Sequence, residues 1–281
     1  MFAHDFIREA YIAGTPIALA CGLIGWFVVL RAQVFAGDAL SHVAFVGAIA
    51  AAAAGVDERV GLFAVTLLVA LGMAALGGRS GEADDAVIGV VFAWVLGIGV
   101  LLLAVLAATP GGSNGVTLAT TLFGSIFSLT SGQALLAAIV ALVVVAALGT
   151  MVRPLLLATL DGELAALRSV PVRALGAGFL ALLAAVTTES TQAVGALLLL
   201  GLLAAPAGAA HLLTARPYRG LALSAAIAVA AMWGGLALAY AVPSLPPSTA
   251  IIGVAAASYG GAAVWRWWSA RRLVEASAAP V

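Results

Sequence analysis

Lysine is missing from this chain. All 12 cationic residues among its 281 are arginines, a bias that a GC-rich genome produces without any mechanism behind it. Charge of either sign is scarce. Only 9% of residues are charged, 64% are hydrophobic, and the mean hydropathy is +1.19. A soluble fold of this length needs a wet, charged surface that these residues cannot supply, so the composition is that of an integral membrane protein with many spans. The single cysteine, Cys21, excludes an internal disulfide and a thiolate metal cluster within one chain. Acidic and basic residues balance at 12 each, which gives no basic surface for nucleic acid. No GxxxxGK[ST] phosphate loop and no HExxH occurs, and "GGSNG" does not match a nucleophile elbow. Nucleotide hydrolysis by this chain and intramembrane catalysis are therefore weak readings, and energy for uphill work must come from a partner or a gradient. The polar start "MFAHDFIREA" carries no basic leader, and no cleavable signal is expected.

What is present is a series of apolar runs. A helix needs about 20 residues to cross the hydrocarbon. Such runs fall near 11–30, 39–55, 60–77, 86–107, 133–151, 171–187, 191–214, 220–241 and 248–267. The expectation is an all-α polytopic protein with about nine transmembrane helices (eight or nine), because backbone groups in lipid must satisfy one another. The runs are apolar on all sides and lack the alternation of a β-barrel. Residues 115–130, "GVTLATTLFGSIFSLT", are rich in Thr, Ser and Gly and read as a short re-entrant or interfacial helix. One domain is expected over 1–281, with the bundle at 10–268, a cytoplasmic segment at 153–170 and a cytoplasmic tail at 269–281.

The arginines orient the bundle. With nine spans, Arg31, Arg79, Arg153, Arg168, Arg173, Arg216, Arg219, Arg266, Arg271 and Arg272 share one side, and only Arg8 and Arg59 lie opposite. The positive-inside rule then puts the N-terminus outside and the C-terminus in the cytoplasm of a plasma-membrane protein. Within 153–170, Asp161 is a helix cap and Glu163 lies in the first turn behind it, favouring the positive end of the helix dipole. That segment reads as a short docking helix between two spans.

Chemistry concentrates in "GDALSHVAFVG". Asp38 and His42 are four residues apart, so carboxylate and imidazole converge on one helical face. Ionisable groups at membrane depth face a cavity or a partner, and this pair is half a site for a divalent transition metal. A simple ion pair pinning the helix is the plainer alternative. Ser41 points about 100° away from His42 and forms no nucleophile–base pair with it. Two chains related by a two-fold axis would supply four ligands. Glu189 and Gln192 are weaker candidates for a pathway; a solvated loop charge and a helix–helix hydrogen bond are their plainer readings. His211 reads as an interfacial histidine, the Glu82, Asp84, Asp85 cluster as a solvated face, and Pro206 as a possible break in the seventh span.

"GDALSHVAFVGAIAA", "DDAVIGVVFA", "LFGSIFSLT", "DGELAALRSVP" and "AVGALLLLGLLAAPAGAAHLLT" follow one another in the order typical of bacterial zinc/manganese ABC-importer permeases. The chain resembles that family over about residues 11–265. The resemblance implies a homodimer in the plasma membrane, working with two cytoplasmic ATPase subunits and an extracytoplasmic metal-binding protein, with no permanently bound cofactor. Asp38 and His42 match the positions associated with metal passage, and Asp161, Gly162, Glu163 and Leu164 fall in the element that couples to the ATPase. Zinc is the expected cargo, with manganese or iron as the alternative. A gradient-driven transporter with an Asp–His proton relay, and a permease for a bulky chelate, are the rival readings. Glu189 and His211 depart from the family pattern.

Overall fold

In the computed structural model, the described residues are 5–77, 84–107, 124, 126–196 and 199–277. Ten α-helices and no strand occur among them: α1 (Asp5–Leu30), α2 (Val34–Ala54), α3 (Glu58–Leu76), α4 (Asp85–Ala107), α5 (Ser131–Leu160), α6 (Gly162–Leu167), α7 (Val172–Val194), α8 (Leu199–Leu213), α9 (Pro217–Ala241) and α10 (Pro247–Ser277). A 3-10 turn at Ile126–Ser128 precedes α5. Eight of the helices are long and apolar enough to cross a bilayer, and α8 is a shorter apolar helix. The protein is thus an all-α polytopic membrane protein. Arg79, Glu82 and the 115–130 segment apart from Gly124 and 126–130 lie outside the described residues.

α1 is the hub, packed against α5, α7, α8 and α9; α2 packs on α3, α4 and α7, and α10 closes against α8 and α9. Small residues make these approaches close. Gly47 of α2 and Gly61 of α3 face each other backbone to backbone, Gly25 of α1 abuts the Leu203 carbonyl of α8, and Gly22 lies beside Ala225 of α9. Across the last interface Ser224 donates its hydroxyl to the Gly22 carbonyl at 2.6 Å. α4 is peripheral, with Val90, Trp94, Val100 and Leu101 all facing outward.

Contacts between the termini of the helices define two ends of the bundle. At one end Ser131 donates to the Glu9 carboxylate and Phe6 packs edge-on against Phe127. At the other, the Trp26 carbonyl meets His211 Nε2 at 3.1 Å, their rings stack at 5.0 Å, and Arg31 lies over the Phe179 ring at 5.1 Å.

Three boundaries differ from those expected. The sixth span does not stop at 187. α7 continues through "TTESTQAV" to Val194, because the polar run satisfies itself: Thr187 and Thr188 donate to the Ala184 carbonyl and Thr191 to that of Thr187. The break falls instead at Gly195, whose φ of 93° is a conformation that side chains with a Cβ rarely adopt. Pro206, expected as a possible break, sits buried within α8. The fifth span runs past Pro154 to Leu160, held by the buried Leu155 and Leu156, so only Gly162–Leu167 of the 153–170 segment is a separate short helix.

Candidate metal pathway

Asp38 is the fifth residue of α2 and His42 the ninth. They lie about 6 and 12 Å along a helix about 31 Å long, which puts Asp38 just beyond the first turn of α2. His42 Nε2 and Asp38 Oδ1 are 4.0 Å apart, and the side chains are 23% and 34% exposed. At that separation they are not hydrogen-bonded to each other, and their lone pairs stay available. Two donors about 2.1 Å from one ion lie no more than about 4.2 Å apart, so a shared ion fits the observed spacing. Phe92 of α4 stands 5.7 Å from the imidazole and 6.3 Å from Phe35. Phe35, Asp38 and His42 share one face of α2, half-open at the edge of the subunit. Among the described residues no three His, Cys, Asp or Glu side chains gather as a metal site. Asp38 and His42 are thus a pair of candidate ligands with no third such side chain beside them among the described residues.

The inner side of the same helix turn is dry. Ser41, 1% exposed, donates to the Asp38 carbonyl at 2.7 Å and lies 3.2 Å from the Ala196 carbonyl. Ala196 belongs to the break between α7 and α8, and Gly124 packs against Gly195 and Val194 from the other side. Cys21 is buried against Ser190, Sγ to Oγ 3.0 Å, away from the exposed pair.

A second polar place opens at the other end of α2. A cavity of about 680 Å³ is lined by residues that include Asp57, Glu58, Arg59, Gln133 and Gln192. Asp57 caps α3 by accepting the Arg59 N–H at 2.9 Å, and Gln133 forms a capping box with Thr130. Glu189 does not line the cavity. It is a buried residue within α7, 2% exposed, paired with Arg59. The expectation of a solvated loop charge fails here, because α7 continues past Glu189 to Val194 and carries it into the bundle. Gln192 does line the cavity, and its Nε2 is buried without a hydrogen-bond partner. In the sequence Arg59 is only one of the two arginines on the side poor in positive charge. "DERVG" reads as a charged helix start, and nothing in it reveals a partner 130 positions away.

Asp161 accepts the Leu164 N–H at 2.9 Å and caps α6, with Glu163 in the first turn. Ala165 anchors the short helix, while Glu163, Leu164 and Leu167 point outward, Leu167 at 82% exposure. His211, expected at an interface, is bound to the Trp26 carbonyl as described above.

Residues 3–265 match the ABC 3 transport family. The chain belongs to that family. Family membership makes it the membrane-spanning transport component of an ABC transporter. Among similar proteins is the manganese transport system membrane protein MntC of Halalkalibacterium halodurans, 28% identical over 234 residues, covering 83% of this chain and 76% of that one. The manganese transport system membrane protein MntD of Bacillus subtilis is 32% identical over 239 residues, covering 78% and 79%. The manganese import system permease protein ScaB of Streptococcus parasanguinis is 27% identical over 237 residues, covering 84% and 82%. The solved structure of PsaBC from Streptococcus pneumoniae in complex with Fab shares the fold of this family member. It has a TM-score of 0.79 at 24% identity, covering 93% of this chain and 92% of that one.

Proposed function

We propose that this chain is the permease of an ATP-driven importer of manganese, and that Asp38 and His42 are its contribution to the ion's passage. The observation that carries the reading is the convergence of carboxylate and imidazole at 4.0 Å on a half-open face of a membrane helix. Zinc was the expected cargo. The relatives above carry names that specify manganese, and a carboxylate plus an imidazole accommodates that ion as well as zinc. A second copy facing the Phe35–Asp38–His42 side would double the ligands to four. The set must stay strained or incomplete, because a closed site would hold the ion instead of passing it.

The exposed leucines of α6 beside Asp161, Gly162 and Glu163 support docking on a cytoplasmic ATPase. The arginines support the orientation. Arg31, Arg168, Arg173, Arg216, Arg219 and Arg271 all lie toward the end of the bundle that holds α6, which would be cytoplasmic. The N-terminus and the cavity would then face outward, toward an extracytoplasmic metal-binding protein, in the plasma membrane.

Isotopic manganese uptake in cells lacking other importers tests the reading. His42→Ala is expected to abolish uptake while the amount of transporter in the membrane stays unchanged. Uptake at the native rate by that variant defeats the ligand role. Uptake that persists without any ATPase subunit defeats the ATP-driven reading.

A further inference from the structure

The buried carboxylate of Glu189 pairs with Arg59, which stands between it and the cavity. Arg59 uses a single terminal nitrogen, which meets both Glu189 oxygens at 3.1 and 3.0 Å. This is not the two-nitrogen fork of the strongest arginine–carboxylate pairs. Arg59 itself lines the cavity; Glu189 lies behind it. Gln192, one turn further along α7, brings an unpartnered buried amide nitrogen to the same cavity. Amide orientation is an assignment, and the turned amide presents its oxygen instead.

Replacing a buried ion pair that only staples two helices by well-packed neutral residues is often neutral for stability, so stapling α3 to α7 does not by itself call for this pair. Ionisable groups at this depth mark ion routes. A fixed guanidinium at the cavity wall opposes a cation, unless the cation can take its place. The volume suffices for that exchange: six waters need about 180 Å³ at about 30 Å³ each, well below the cavity's roughly 680 Å³.

We infer that Glu189 is a cation-binding carboxylate masked by Arg59, and that an arriving divalent cation displaces the guanidinium and is held there, with the Gln192 amide alongside, before it reaches Asp38 and His42. Arg59 is the resting counter-ion and keeps the buried charge compensated between passages. The inference rests on the transport reading above and adds a site to it.

The test uses the whole transporter reconstituted in sealed proteoliposomes with Mn²⁺ as the probe. Arg59→Gln/Glu189→Gln replaces the pair by neutral side chains of similar shape. Its membrane level and melting temperature are expected to match the native protein. Its apparent KM for manganese uptake is expected to rise at least tenfold. Native uptake kinetics from the double variant overturn the proposal, because a purely structural pair survives that replacement. A second measurement serves should the double variant not accumulate. In a His42→Ala background, which is independent of the Asp38–His42 reading, Arg59→Gln leaves Glu189 uncompensated. It is expected to bind Mn²⁺ at least tenfold more tightly than the same protein with Arg59 present, read by loss of the free-ion paramagnetic resonance signal, and to melt higher when Mn²⁺ is added. An Mn²⁺ affinity unchanged by the loss of Arg59 overturns the proposal.

Discussion

The hydroxyl of Ser41 ties the ligand-bearing turn of α2 to the Ala196 carbonyl in the break between α7 and α8, at 3.2 Å. One hydroxyl proton serves two carbonyls, the other being that of Asp38, so the turn that carries the proposed ligands is coupled to the one irregular backbone segment it touches. Broken helices at membrane depth are tolerated where protein surrounds them, and in transporters they accompany ion sites. Ser41→Ala is expected to cost about 1 kcal/mol, a fall in melting temperature of about 2–4 °C, and to lower manganese uptake. Thermal melting of the purified transporter, together with uptake, checks it. An unchanged melting temperature shows the tether to be idle.

Gly25→Ala is expected to remove the protein from the membrane. A Cβ there meets the Leu203 carbonyl, which is backbone and has nowhere to go. Gly97→Ala, on the open face of α4 where nothing lies within 4 Å, is the control and keeps its native level. Immunoblots of membrane fractions decide between them.

At α6, Asp161→Ala removes the cap and is expected to cost about 1 kcal/mol locally. Asp161→Lys and Glu163→Lys add charge repulsion at the positive dipole end. If α6 is the docking element, either reversal leaves ATP hydrolysis running with reduced metal transport. The ratio of ions moved to ATP hydrolysed in proteoliposomes measures this. A native ratio in both reversals excludes α6 as the coupling element.

The proposed second copy is tested by crosslinking. Phe35 shares the face of Asp38 and His42 and is 39% exposed. In a Cys21→Ser background, Phe35→Cys is expected to give an oxidant-dependent species of twice the mass. The same result from Ile12→Cys, an exposed position on α1, would show that the crosslink is collisional.

Composition and run length determine the all-α membrane class, because lipid leaves the backbone few ways to satisfy its hydrogen bonds. The spacing of Asp38 and His42 determines that they share a helical face, a matter of local geometry alone. The Asp161 cap is equally local, and it forms as its sequence suggests. Only the tertiary structure decided that α7 reaches Val194, that the chain breaks at Gly195, and that Glu189 is buried against Arg59. The burial of Glu189 depends on which helices pack together, its partner Arg59 being more than a hundred residues away. A polar run like "TTESTQ" looks the same in a loop as in a helix until its hydroxyls find their own carbonyls. A charge declares its role only when its partner has been brought beside it.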